Sequence, residues 1–539
     1  MATPRTVAVF LALLAAATQA AAYSLQLDLG APQGSSPLLR PSVFAGYADD
    51  RARTRLEDFS RLGYIRIEAE SAVANATGMD DYLARLSLND AAIEQLQASG
   101  AEVLVQVSKM PLWLSANPSA EATCNGWKVY QASPAADWKA YEDFIYQTVD
   151  YYNNQRGFDL VYDTWAEPDS ECQWLGTRDE LLALLRHFVI GAKRADPAAR
   201  VVLPSVSNWK ASIGDSNGDN WLLKDPRQSL IHALIQDFAA TPVPELGWSR
   251  IPIDFISFHS FSPQLSRIRS GLAQVRQWLD DAGYTGSGIM VTEWNAHMAE
   301  ALPNASYFLH ATRMLEDAAV DAATFASLQD FYSLEHTVRG DYGMLARDYA
   351  LRKPAYHAMD MLDRLPEGRI AAATDSPTVE TMAAWDGQTL GILLWNYVDR
   401  EALLEDYFME QGYDDLFLTG PEPTVPGPEH VAAWLDLLDY SRLLAGLETT
   451  PQDILLPLGQ LGFGSYRLQH WVIDDTHSNL LYSYQQAAES GGTLDEILAS
   501  LQGQDVLEQV EDLTVEPASD RTVSMSPHAI HLFRITPLP

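Results

Sequence analysis

The chain has 539 residues, 47% of them hydrophobic, and a formal charge of −36 from 72 acidic and 36 basic side chains. That length and apolar content suit a folded protein of more than one domain. The surplus of anions makes nucleic acid a poor partner, and it favours solubility while adding self-repulsion in low salt. The only two cysteines, Cys124 and Cys172, form no Cys-x-x-Cys; there is also no His-Glu-x-x-His and no phosphate-binding glycine loop, so neither a metal nor a cofactor is expected.

Residues 1–22 read as a signal peptide: Arg5, an apolar run from Val7 to Ala17, and Ala20-Ala21-Ala22 before Tyr23. The run falls short of the roughly 20 residues a membrane-spanning helix needs, and no later stretch qualifies. An exported chain, secreted or periplasmic, with no membrane span is therefore expected. In an oxidising compartment Cys124 and Cys172 become candidates for a disulfide. Residues 23–41 contain Leu25-Gln26-Leu27-Asp28-Leu29, whose alternation predicts a strand that returns to a later domain.

From residue 42 to 365, short apolar runs alternate with helical patterns, the signature of a parallel α/β sheet. The strands are expected at Val43–Gly46, Tyr64–Glu68, Val103–Val107, Leu160–Trp165, Val201–Ser205, Phe255–His259, Ile289–Thr292 and Thr324–Leu328. Between the fourth and fifth, Leu181, Leu185, Phe188 and Ala192 form one apolar helix stripe. Eight such units predict a closed (β/α)8 TIM barrel. After Leu365 the pattern changes to short runs with turn signals, such as Leu390–Tyr397 and His531–Ile535, which predicts an accessory β-sandwich over residues 366–539. An insertion is expected around 400–450, where the prolines and glycines of Gly420–Pro428 read as a loop or excursion.

Two expected strands run into glutamate: Glu167 in Thr164-Trp165-Ala166-Glu167-Pro168, and Glu293 in Val291-Thr292-Glu293-Trp294-Asn295. The C-terminal ends of barrel strands build one active site, so separate strands can aim two carboxylates at one glycosidic bond. The ordered set resembles clan A of the glycoside hydrolases, and the chain from about residue 23 to 539 is similar to glycoside hydrolase family 39. Further matches are Asp254–His259, Gln329-Asp330, Lys353–Ala358 and Tyr466–Asn479. The resemblance implies a retaining glycosidase acting on an oligosaccharide or polysaccharide, with Glu167 as acid/base and Glu293 as nucleophile. Glu167 must then be protonated, and the charge of nearby Glu293 is expected to raise its pKa.

Other positions follow from the same placement. Arg66, late on the second strand, is expected to hold the Glu293 carboxylate; His259 and Asn295 are expected to line the site. Trp113, Trp127, Trp165, Trp174 and Trp294 follow barrel strands, where each is as consistent with core packing as with stacking on sugar. Two positions depart from the family pattern: Ala166 stands where an asparagine usually bonds the sugar 2-hydroxyl, and Phe261 where a tyrosine usually supports the nucleophile. Three accounts stay open. The sugar carries something other than a free equatorial 2-hydroxyl; or Asn295 or His297 supplies an equivalent donor; or catalysis is lost and the chain is a carbohydrate-binding protein. Family resemblance implies β-xylosidase or α-L-iduronidase activity first, and the acidic chain disfavours a carboxylated sugar unless local Arg or Lys compensates.

Overall fold

The structure, a computed structural model, describes residues 22–34, 40–46, 48–69, 76–124, 127–213, 224–296, 301–331, 343–417 and 427–538, excluding the side chains of 123–130. An N-terminal strand β1 (Tyr23–Gly34) is followed by β2 (Val43–Phe44), β3 (Tyr64–Glu68), β4 (Glu102–Gln106) and a small hairpin of β5 (Glu121–Cys124) and β6 (Trp127–Tyr130). Then come β7 (Leu160–Asp163), β8 (Arg200–Val206), β9 (Phe255–Ser260), β10 (Gly288–Trp294) and β11 (Ala322–Ala326). The strands β2, β3, β4, β7, β8, β9, β10 and β11 are parallel and close into a barrel, with β11 pairing back onto β2.

Side chains alternate between the two faces of a strand, and here the alternation sorts the barrel interior into layers. Leu104, Val161, Val202, Met290 and Ala322, joined by Tyr64 and Phe255, make an apolar plug separate from the core under the helices. Two residues further along the strands the inward positions are polar: Arg66, Gln106, Asp163, Ser257, Thr292 and Thr324, all buried. The outward neighbours, such as Val103, Val105, Tyr162, Leu203, Ile256 and Phe258, pack under the surrounding helices. Apolar filling therefore stops below the C-terminal ends of the strands, and a polar floor begins there.

The remaining strands, β12 (Arg369–Thr374), β13 (Val379–Trp385), β14 (Leu390–Asn396), β15 (Gln452–Leu456), β16 (Tyr466–Ile473), β17 (Gln509–Val515), β18 (Arg521–Met525) and β19 (Ile530–Pro537), join β1 in a curled sheet of nine. β1 lies between β12, which it pairs antiparallel, and β15, which it pairs parallel. β14 is apolar from Leu390 to Trp395 because both its faces are covered: Leu390, Ile392 and Leu394 point into the sheet's own core, Leu393 and Trp395 toward the barrel. Across that contact, His310 Nδ1 lies 2.8 Å from Glu380 Oε1 and the Arg364 guanidinium sits 5.4 Å from the Trp471 ring centre.

The insertion expected around 400–450 lies between β14 and β15 and is largely helical in its described residues, with helices Arg400–Glu410, Tyr413–Phe417 and Pro428–Leu447, while most of the expected loop Gly420–Pro428 falls outside them. Pro428 occupies the first helical turn, where its missing N–H costs nothing; residues 418–426 lie outside the described residues. The insertion clamps the helix Leu265–Asp281 that follows β9. Arg267 makes a bidentate pair with Glu405 at 2.7 and 2.8 Å, and the Asp406 carboxylate accepts from the backbone N–H groups of Leu265 and Ser266. That helix starts at the strand C-terminal end of the barrel, so the insertion braces the same end as the polar floor.

Candidate active site

Glu167 lies four residues beyond β7 with φ = 46°, a left-handed conformation uncommon outside glycine. Its N–H donates to the Ser205 carbonyl of β8 at 2.8 Å, which ties the turn to the neighbouring strand. Glu293 is the sixth residue of β10, and the pairing with β9 shifts register between Val291 and Glu293 so that Glu293 stands opposite His259. A bulge re-aims a side chain in this way at many active sites. The Glu167 side chain is 33% exposed, that of Glu293 15%, and that of His259 not at all.

His259 sits between the two acids. Its Nδ1 lies 3.0 Å from Glu167 Oε1 and its Nε2 3.7 Å from Glu293 Oε1. Donor atoms of the three residues all lie within 4.8 Å of one another. One oxygen of each carboxylate thus comes nearer the other than the roughly 6.5–9.5 Å that separates the carboxyls of an inverting enzyme, an approach that suits direct attack by one acid while the other protonates. This is the one cluster of three potential metal ligands among the described residues, but side chains already supply its positive charge: Arg66 Nη1 donates to the same Glu293 Oε1 that faces His259.

Arg66, fully buried, carries the site's fixed charge. Its Nε donates to Asp163 Oδ2 at 2.8 Å, its Nη2 lies 2.7 Å from the same oxygen, and its guanidinium packs 4.8 Å from the centre of the Phe44 ring. Burial opposes its charge, but Asp163 and Glu293 outweigh burial and keep it a cation. Asp163 in turn accepts from Ser205 Oγ at 2.6 Å; Ser205 Oγ accepts from Thr292 Oγ1 at 3.2 Å, and Thr292 bonds Ser257 at 2.6 Å. A chain of polar residues from five strands thereby locks the orientation of Glu293.

The charges around Glu167 reverse one expectation from sequence. Burial raises its carboxyl, but the hydrogen bond and charge of His259, with Arg66 and Lys109, outweigh burial and hold it below the ordinary glutamate range. His259 moves the other way. Burial lowers it and Arg66 opposes it, yet the charge of Glu293 and the bond to Glu167 raise it above the usual histidine value. Two carboxylates alone would repel each other; the fold sets between them an imidazole whose hold on a proton is strengthened by both.

The other expected residues divide. Trp165 and Trp294 belong to the core. Trp165 is fully buried, donates from Nε1 to the Gln173 carbonyl at 3.0 Å and meets Trp174 edge-on, while Trp294 is 3% exposed and stacks on Phe308 at 5.7 Å. Asn295 is also fully buried, and its amide bonds backbone: Nδ2 donates to the Ala326 carbonyl and Oδ1 accepts from Ala296 N–H, both at 2.6 Å. Trp113, Ala166 and Phe261 are half-buried at the strand C-terminal end. His297 and the side chains of Trp127 and Cys124 lie outside the described residues.

Three residues at the site escaped sequence reading. Asp163 stands two positions after Val161 of the apolar plug, so inward parity could have flagged it. Lys109, with φ = 75°, donates to Gln173 Oε1 and acts on Glu167 through its charge. Asp169 is 3% exposed and accepts from the Ser207 N–H at 2.9 Å and from its hydroxyl. Burial, then the charge of Glu167, pushes its carboxyl up to about 6. No periodic signal marks either of these two.

A family model described as "Glycosyl hydrolases family 39" matches residues 87–399. No curated protein matches the chain. Among solved structures it is similar to a monomeric β-xylosidase from Caulobacter crescentus CB15, at 16% identity and a TM-score of 0.66 over 96% of this chain and 100% of that one. It is similar also to the GH39 enzyme from Xanthomonas axonopodis pv. citri, at 16% identity and a TM-score of 0.68 over 97% and 99%. A bacterial orthologue of human α-L-iduronidase matches at 12% identity and a TM-score of 0.64 over 96% and 84%. At these identities the likeness is one of fold.

Proposed function

The chain belongs to glycosyl hydrolase family 39, and from that premise we propose that it is an exported retaining glycosidase whose sugar carries something other than a free equatorial 2-hydroxyl. The observation that supports the reaction class is the Glu167–His259–Glu293 constellation, with donor atoms within 4.8 Å and Glu293 fixed by Arg66. Glu293 attacks the anomeric carbon while Glu167 protonates the leaving oxygen; water then releases the sugar with net retention. A binding protein gains nothing from burying Arg66 and Asp163 to orient a nucleophile, which weighs against the carbohydrate-binding alternative.

The substrate reading rests on Ala166. One alternative donor, Asn295, is fully buried with its amide bonded to backbone, which weighs against its replacing the missing amide. That favours a sugar bearing a linkage, a substituent or an axial hydroxyl at C2. The acidity of the chain is also not the charge felt at the site, since Arg66 and Lys109 both act on Glu167; uronides and sulfated sugars therefore belong in the panel. Aryl glycosides and plant or algal polysaccharides, followed by NMR of the first-formed anomer, test the proposal. Retention is expected, and inversion would refute it. Export and a Cys124–Cys172 disulfide belong to the same proposal: Tyr23 as the mature N-terminus and a linked peptide under non-reducing digestion are expected, and two alkylatable thiols in the exported protein would refute the bond.

A further inference from the structure

His259 is a buried titratable group sealed from water. None of its side chain is exposed, whereas a third of Glu167, to which it is bonded, faces solvent. Its Nε2 has no hydrogen-bond partner among the described residues and points to Glu293 across 3.7 Å. A proton on Nδ1 therefore has one short route in or out, the 3.0 Å bond to Glu167 Oε1.

We propose that His259 is a proton-holding positioning residue, storing across this bond the proton that Glu167 delivers to the glycosidic oxygen. The inference rests on the retaining-glycosidase reading. The charged groups that face the pair are Glu293 and Arg66 beside His259, and Arg66, Lys109 and Asp169 beside Glu167. In the free site the carboxylates favour imidazolium beside an ionised Glu167. When a sugar displaces water from Glu167, that ion pair loses solvation and the neutral pair is favoured. The proton passes from Nδ1 to the carboxyl, leaving a neutral imidazole that keeps its hydrogen on Nε2, toward Glu293. The glycosidic C–O bond then breaks: its electron pair goes to the leaving oxygen, which takes the proton from Glu167, as a Glu293 oxygen bonds the anomeric carbon. In the second half, water oxygen bonds that carbon, the ester's electron pair returns to Glu293, and the water proton goes to Glu167 and on to Nδ1. The net change is addition of one water.

The test has two arms on the full chain. In ¹⁵N-histidine NMR, with the resonance assigned by its loss in His259→Gln, His259 is expected to carry both ring protons at neutral pH and to titrate at lower pH in Glu167→Gln. A neutral His259 at pH 7 in the parent, or a titration unmoved by Glu167→Gln, would overturn the proposal. The second arm compares a dinitrophenyl glycoside, which needs no acid, with an alkyl glycoside of the same sugar. His259→Gln is expected to lose at least about tenfold more on the alkyl glycoside; an equal loss on both would overturn the proposal. If His259→Gln does not fold, His259→Asn assigns the resonance instead, and the parent and Glu167→Gln spectra still decide. A titration as expected with no turnover by the parent on any glycoside would sink the glycosidase reading and leave the shared proton standing.

Discussion

Arg66→Met removes the cation from beneath Glu293 at nearly constant volume, and its cost can be worked from the geometry. Arg66 and Asp163 are both fully buried, with N–O separations of 2.7 and 2.8 Å. Opposite charges so spaced attract by about 6 kcal/mol, gross, at an effective dielectric of about 20. Desolvation cancels part of that attraction, but deleting one partner strands the other in the interior, which costs about 3–5 kcal/mol. Asp163 would keep only Ser205 as a donor. Chemical denaturation of the barrel transition checks the value, and a double-mutant cycle checks the cause. Adding Asp163→Leu to Arg66→Met removes the stranded charge, so the double variant is expected to be more stable than Arg66→Met alone, with a coupling of about 0.5–3 kcal/mol. A loss below about 1 kcal/mol, the level of an exposed pair, or strict additivity would refute the account.

Ala166→Asn is expected to raise kcat/KM on an unsubstituted aryl β-xyloside and lower it on the natural substrate, one transition-state donor being worth about 2.7–4 kcal/mol; a rise on both would make Ala166 a defect rather than a selector. Asp169→Asn removes a carboxyl that ionises at about 6 beside Glu167. Because that charge helps Glu167 and His259 hold their proton, the alkaline limb of the kcat/KM profile is expected to move to lower pH, and an unmoved limb would refute the coupling. In the sheet, His470 Nε2 and His531 Nδ1 meet at 2.9 Å, and burial lowers the two rings to about 4 and about 3. Both folded values lie below the unfolded value of about 6.5, so the unfolded chain takes up protons first, and stability falls as pH drops from about 6.5 to about 3. His531→Gln is expected to flatten that slope in denaturation curves at several pH values; an unchanged slope would refute the assignment.

The barrel was legible because each βα unit announces itself locally, by an apolar run of strand length, a helical stripe and a turn. Glu167 and Glu293 were legible for the same reason, being polar residues that end such runs. Periodicity says that a side chain is covered, not what covers it, so Trp165 and Trp294 read equally as core or as platform until the fold buried both. Partners distant in sequence were beyond reach. Arg66 meets Asp163 97 positions away and Glu293 227 positions away, and those meetings exist only once β11 closes onto β2. The pKa of Glu167 shows the consequence: two carboxylates read along the chain repel, whereas in the folded barrel a bulge in β10 sets His259 between them and reverses the shift. Covalent order could place the acids at one rim. The imidazole set between them came from strand register, which is settled by packing across the whole barrel.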